Sequence, residues 1–335
     1  MNDYKPRQAL SEWRYYALMS FIALCTFKVL MRCHDANLDR FARAAYSVIE
    51  GHPDWIAFQN RLLAPYLVLF ISKLGLSYKT ALLGYHAVAL WLEVCLLFYV
   101  FRARGLEAAR AAGWTIGALF VFLVMQDFWL YSWDGIDLII FTLLAFGILQ
   151  GWGPGAFVAL FCVGILNRES ALFIALFIAL DSLTFDPARL RLRLTNWHRL
   201  LVGGMLLLAG AAYTKISRQL LFVSRPNGLA DTEHQTMGNH FWLFDNLQYL
   251  FVRNFSNHHM VDSLAIFGGL AYFAWHARRY DDRQFKCFLM LLALLANIMI
   301  FGVIIETRLL FILIPFAALL HLDSRLGQGR PPRPD

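Results

Sequence analysis

Long apolar runs separated by short polar segments dominate the chain. Eleven stand out, at 15–31, 62–76, 80–101, 113–133, 136–150, 154–166, 170–185, 199–213, 261–276, 286–305 and 309–322. A helix that crosses a bilayer needs about 20 mostly apolar residues, and shorter runs are accommodated inside a bundle. The pattern therefore predicts an all-α, polytopic membrane protein forming a single integral membrane domain. The stretch from 154 to 185 cannot be one helix, because 32 residues at 1.5 Å each would extend about 48 Å. The polar quartet Asn167-Arg168-Glu169-Ser170 marks its break.

Basic residues order these runs. Five clusters (Lys5/Arg7/Arg14, Arg102/Arg104/Arg110, Arg189/Arg191/Arg193/Arg199, Arg278/Arg279/Arg283/Lys286 and Arg325/Arg330/Arg333) hold more than half of the 30 Lys and Arg residues. Short basic segments stay on the cytoplasmic side, so an even number of crossings must separate any two clusters. Only the first gap, with three runs, breaks that parity. Its weakest member, 62–76, is short and contains Pro65 and Lys73, which predicts a half-inserted or interfacial helix. About ten transmembrane helices follow, with residues 1–14 and the disordered tail 323–335 both cytoplasmic. Two polar stretches then face outward, 32–61 (an outer loop extending to 79) and 214–260, and loops of this length are usually functional. Within the first, Leu38, Phe41, Ala45 and Ile49 recur at helical spacing, which predicts an amphipathic helix over 36–50 lying on the membrane.

Composition strengthens the membrane assignment. The 335 residues are 59% hydrophobic and only 16% charged, against about 45–50% and about 25% in soluble domains. The net charge of +7 is dispersed in loop clusters rather than gathered into a stripe, which argues against a nucleic-acid partner. Cys25, Cys33, Cys95, Cys162 and Cys287 are isolated and read as small buried hydrophobes, not as a disulfide frame or a zinc site. The polar start leads into an uncleaved first span rather than a signal peptide.

The candidate chemistry lies at the outer ends of the spans. There the sequence places His34, Asp35, Asp39, Arg61, Asp134, Arg168, Glu169, Glu306 and Arg308, with Asp127 and Asp137 flanking the turn at 133–135. Charges in tight, apolar-flanked turns are costly unless they pair or line a wet cavity. Arginine binds phosphate oxygens bidentately, and a carboxylate removes a proton from a hydroxyl. Interleaved at one face, they suit an anionic lipid headgroup and acid/base chemistry; Arg168–Glu169 and Glu306–Arg308 as purely structural pairs are the plain alternative. Glu93 and His86, seven residues apart on one helical face, fit either a satisfied intramembrane hydrogen bond or a proton relay. His234, His240, His258 and His259 show no metal-ligand spacing, so no metal site is expected.

This organisation resembles the GT-C superfamily of polytopic glycosyltransferases, which use polyprenyl-phosphate sugars. The stretch from Asp35 through Asp39, Tyr46 and Gly51 to Pro53 is similar to their first outer loop, and Arg61-Leu-Leu-Ala-Pro65 to the start of the next interfacial helix. Asn167-Arg168-Glu169-Ser170 resembles their mid-chain R-E motif, and Glu306-Thr307-Arg308 with Pro315 their closing E-x-R…P pattern. The resemblance implies inverting sugar transfer from an undecaprenyl- or dolichyl-phosphate carrier to an outer-face glycan or lipid acceptor. It also implies Asp35 (or Asp39) as general base and Arg61, Arg168 and Arg308 on the donor phosphate. His34, Asp134, Glu169 and Glu306 would orient these groups, Trp55, Trp133 and Trp242 would stack on sugar rings, and the lipid tail would lie between spans. No cofactor beyond the lipid-linked donor is implied. The short basic loops fit a bacterial inner membrane with a periplasmic active face. A polysaccharide or O-antigen polymerase would use similar charges, whereas a flippase would favour inverted repeats and midplane charges; a non-enzymatic scaffold would need no such acid–guanidinium set.

Overall fold

A computed structural model describes residues 6–53, 58–126, 130–186, 191–221, 241–253, 260–304 and 306–327. Its elements are α1 (Pro6–His34), α2 (Leu38–Ile49), α3 (Leu63–Ser72), α4 (Tyr78–Ala103), α5 (Ala108–Val124), α6 (Ser132–Gln150), α7 (Pro154–Asn167) and α8 (Leu172–Leu180). There follow β1 (Leu183–Asp186), β2 (Arg191–Leu194), α9 (Trp197–Leu221), α10 (Leu243–Gln248), α11 (Met260–Ala277), α12 (Asp282–Phe301) and α13 (Ile314–Gly327). Short 3-10 turns precede α2, α8 and α13.

Six segments among the described residues are long and apolar enough to cross a membrane: those built on α1, α4, α6, α9 and α12, and the stretch Thr307–Ser324. The protein is an all-α membrane protein in architecture. Its outer surface carries Phe21, Leu24, Phe70, Phe120, Leu208, Leu220 and Trp275 well exposed, an apolar surface of the kind a membrane covers. The bundle is built around α6, which packs on α4, α7 and α12. Phe98, Phe101, Phe141, Leu144, Ile174 and Phe316 fill its centre.

Two ends of the bundle are chemically distinct. At one, Arg102 pairs with Glu12, Arg104 with Asp323, and Arg199 and Lys286 share Asp181. These bases come from three of the five basic clusters, and each is matched by an acid. The other end gathers the turns that contain His34, Arg61, Asp134, Arg168 and Arg308, and successive long helices alternate between the two.

The break near 167 is where the polar quartet predicts it: α7 stops at Asn167, and Arg168 adopts an extended conformation before the turn Glu169–Ala171. The 62–76 run yields a helix of ten residues, about 15 Å long. Three expectations change. The apolar face of α2 (Leu38, Phe41, Ala44, Val48) is buried against α3, α4 and Tyr131 rather than laid on lipid, because α3 folds back beside it. The 113–133 run splits: α5 begins earlier and ends at Val124, and Tyr131 to Trp133 join α6, where the Tyr131 N–H donates to the Asp134 carboxylate at 2.9 Å. Finally, the 170–185 run ends at Leu180, and a two-stranded antiparallel hairpin pairing Leu183 with Leu194 follows. Its alternating Leu-Thr-Phe and Arg-Leu-Arg-Leu pattern has period two rather than 3.6, and Phe185 stacks on Phe285 of α12 at 3.9 Å.

Candidate functional site

Asp134 is the hub of the acid–guanidinium end. Sitting in the first turn of α6, it both caps that helix through the Tyr131 N–H and accepts from Arg308 Nη1 at 3.1 and 3.3 Å. Arg308, itself buried, donates through Nη2 to Glu306 at 2.5 Å and lies 4.6 Å above the Tyr131 ring. Three residues along α6, Asp137 accepts from Arg168 Nη1 at 3.1 Å and from Asn167 at 2.8 Å, and Arg168 also stands 3.8 Å from Asp134. The extended backbone at Arg168 turns its side chain inward from the α7–α8 break.

Arg61 completes the set, and its surroundings differ. Buried at the turn before α3, it lies over the rings of Trp133 at 4.6 Å and Phe58 at 5.1 Å. Among the described residues no hydrogen-bond acceptor meets its Nε or Nη1. Burial lowers its pKa to about 9, with the charges of Arg168 and Arg308 adding to the effect and Glu169 and Asp134 opposing it; it remains cationic at neutral pH. Burial likewise raises the Tyr131 phenol to about 12, against the pull of Arg308. Asn60 adopts a left-handed conformation, φ 72°, which asparagine tolerates better than most residues. It donates to Glu169 at 3.1 Å, and Glu169 also binds Arg218 of α9. The Leu62 N–H bonds the Leu166 carbonyl at 2.9 Å, which ties the Arg61 turn to the α7–α8 break.

Arg61, Arg168, Arg308, Asp134, Glu169 and Glu306, widely separated in sequence, thus belong to one connected neighbourhood. Asp35 and Asp39 are not hydrogen-bonded into it. Both are exposed, Asp35 in the 3-10 turn after α1 and Asp39 paired with Lys79 at 2.7 Å. His34 is buried, shares a hydrogen bond with Gln126 at 3.0 Å and meets Phe41, which in turn meets Tyr131. The two aspartates therefore stand at the same end of the bundle. Trp133 is fully buried, stacked on Tyr131 at 4.8 Å; it supports Arg61 and has no face open to a sugar. Trp55, Asp127 and the loop histidines lie outside the described residues. Sequence reasoning missed Asn60, Tyr131 and Arg218. Position i−3 from Asp134 was the available signal for Tyr131, as adjacency to Arg61 was for Asn60.

A groove of about 700 Å3 runs between α5, α11, α12 and the segment 310–321. Gly113, Gly117 and Gly269 leave it open, and leucines line it. One end reaches Met125, whose carbonyl accepts from Thr307, next to Arg308; the other reaches Arg110 and His321. From Arg110 to Met125 it follows α5 for about 22 Å.

Buried guanidiniums facing one another are held together by the interleaved carboxylates, and Arg61 is the one whose donors are least engaged. An anion with several oxygens satisfies such donors. Set against known proteins, the chain matches no protein-family model, no curated protein and no solved structure.

Proposed function

We propose that this chain is a GT-C-type membrane glycosyltransferase, moving a sugar from a polyprenyl-phosphate carrier to a glycan or lipid acceptor at the outer face. The observation that carries the reading is Arg61, a buried guanidinium with unengaged donors beside Arg168 and Arg308; Arg308 follows Thr307, which bonds Met125 at one end of an apolar groove. In this reading the chain crosses a bacterial inner membrane about ten times, the four shorter or less apolar helices crossing within the bundle. The basic clusters are cytoplasmic and the acid–guanidinium end is periplasmic.

The roles follow from availability. The donor phosphate binds Arg61, Arg168 and Arg308, and its prenyl chain fills the groove. Asp134, Asp137, Glu169 and Glu306 are engaged by guanidiniums and so hold those cations in place rather than take a proton. Asp35 has no ion pair among the described residues and is the general base, with Asp39, tied to Lys79, second. Asp35 takes the proton of the acceptor hydroxyl, the acceptor oxygen bonds to the anomeric carbon, and the bond from that carbon to the phosphate oxygen breaks. The released lipid phosphate gains charge, which the three guanidiniums stabilise. One displacement inverts the anomeric centre.

The test is lipid and glycan analysis of cells lacking the gene. A polyprenyl-phosphate sugar should accumulate, and purified protein in liposomes should consume it. Unchanged carrier and envelope glycan pools would overturn the reading. The Arg168→Lys variant should fail to restore the product, because the planar fork is lost.

A further inference from the structure

Below the Arg308–Asp134 pair, a cavity of about 30 Å3 is enclosed by α1, α4, α5, α6 and the turn at Phe311. Most of its wall is apolar: Leu30 and Met31 from α1, Phe122 from α5 and Leu138 from α6. Three polar side chains face it. Asp134 stands at the outer end, and His86 and Glu93 enter from α4. Both α4 residues are more than nine-tenths buried, and His86 Nε2 and Glu93 Oε2 have no hydrogen-bond partner among the described residues. The other carboxyl oxygen of Glu93 accepts from Thr142 at 2.7 Å.

A buried polar atom without a partner costs about 1–3 kcal/mol, and two in one apolar pocket call for a common occupant. A cavity needs only about 10–15 Å3 of this measure per water, with two to four polar partners, so two waters fit here. No metal-ligating group of three or more side chains exists among the described residues, and two unpartnered atoms with one carboxylate do not make a cation cage.

We propose that two waters fill this cavity and join Glu93, through His86, to Asp134, making Glu93 a proton-exchanging group within the membrane. One proton moves from water at the outer end to the Glu93 carboxylate and returns the same way; no other atom is transferred. The titratable groups that face the pathway are Asp134 from α6 and His86 from α4 itself. Beyond them, α1 brings His34 one turn past Met31, and α5 and the 307–313 turn line the cavity with Phe122 and Phe311. Of the groups on the pathway, Arg308 of that turn and Arg168 reach only Asp134, at the outer end. The carboxyl has a hydroxyl and water in reach but no cation, and an intramembrane acid so placed marks a proton site rather than an ion pair.

Infrared spectroscopy of the full chain in liposomes tests this without any sugar donor, so the outcome is independent of the transferase reading. A protonated-carboxyl band should shift when water is replaced by deuterium oxide and vanish in Glu93→Gln. Thr142→Val, which leaves the acid in place, should shift the band by removing its hydrogen bond. His86→Phe fills the cavity with carbon, and the exchange should slow about tenfold or more. Absence of a Glu93 band, a band that never exchanges, or exchange at the wild-type rate in His86→Phe would each overturn the proposal.

Discussion

Arg308 and Asp134 are 174 positions apart in the chain, yet one guanidinium nitrogen contacts both carboxylate oxygens. The same carboxylate caps α6 through the Tyr131 N–H, so the site and the fold share one residue. Asp134→Ala removes both contacts and leaves Arg308 with Glu306 as its carboxylate partner. A loss of about 1–3 kcal/mol is expected, read as a lower melting temperature and reduced yield in detergent.

Arg61 gives the opposite result. Its donors Nε and Nη1 have no acceptor among the described residues, and its stacking on Trp133 and Phe58 returns only about 0.5–2 kcal/mol. Arg61→Met should therefore melt at the wild-type temperature or above it, while binding of an alkyl phosphate, measured by calorimetry, is lost. A variant that melts lower and still binds would assign Arg61 to the fold.

The pH dependence of that binding has a definite sign. The folded Arg61 loses its proton at about 9, below the ordinary guanidinium value. A phosphomonoester, with a second pKa of about 6, keeps its charge through this range. Alkyl phosphate affinity should hold through mildly alkaline pH and fall above about 9. Ligand-free stability should rise over the same interval, since there the unfolded chain binds more protons than the folded one. Arg61→Met should show neither change.

Asp35 and Asp39 are exposed, so their substitution isolates chemistry from folding. The Asp39–Lys79 pair, on the surface, is worth about 0–1 kcal/mol. Asp35→Asn should leave melting unchanged and abolish sugar transfer in the liposome assay; Asp39→Asn should melt within a degree or so of wild type and retain most activity. Full transfer by both would remove them as bases.

The two-ended charge arrangement was legible in the sequence because bilayer insertion enforces it: a basic loop or a broken helix leaves a polar mark in an apolar run. Asn167 to Ser170 and Pro65 with Lys73 are such marks. The pairings were not legible. Which carboxylate takes Arg168 depends on Asp134 and Asp137 lying three apart on one face of α6, and the boundary between the 113–133 and 136–150 runs hid that Asp134 is already helical. The period-two hairpin was lost for a similar reason, its first strand continuing the apolar run of α8. That Asp134 and its neighbours already engage one another, leaving Asp35 apart, follows only from tertiary contacts.

The shortness of α8 reaches beyond the protein itself. Its nine residues rise about 14 Å, less than half of a roughly 30 Å hydrocarbon layer. Under the proposed function, the outer leaflet beside α8 would thin or admit water, and a lipid headgroup would reach Arg168, at the top of this helix, by drifting sideways within its own monolayer.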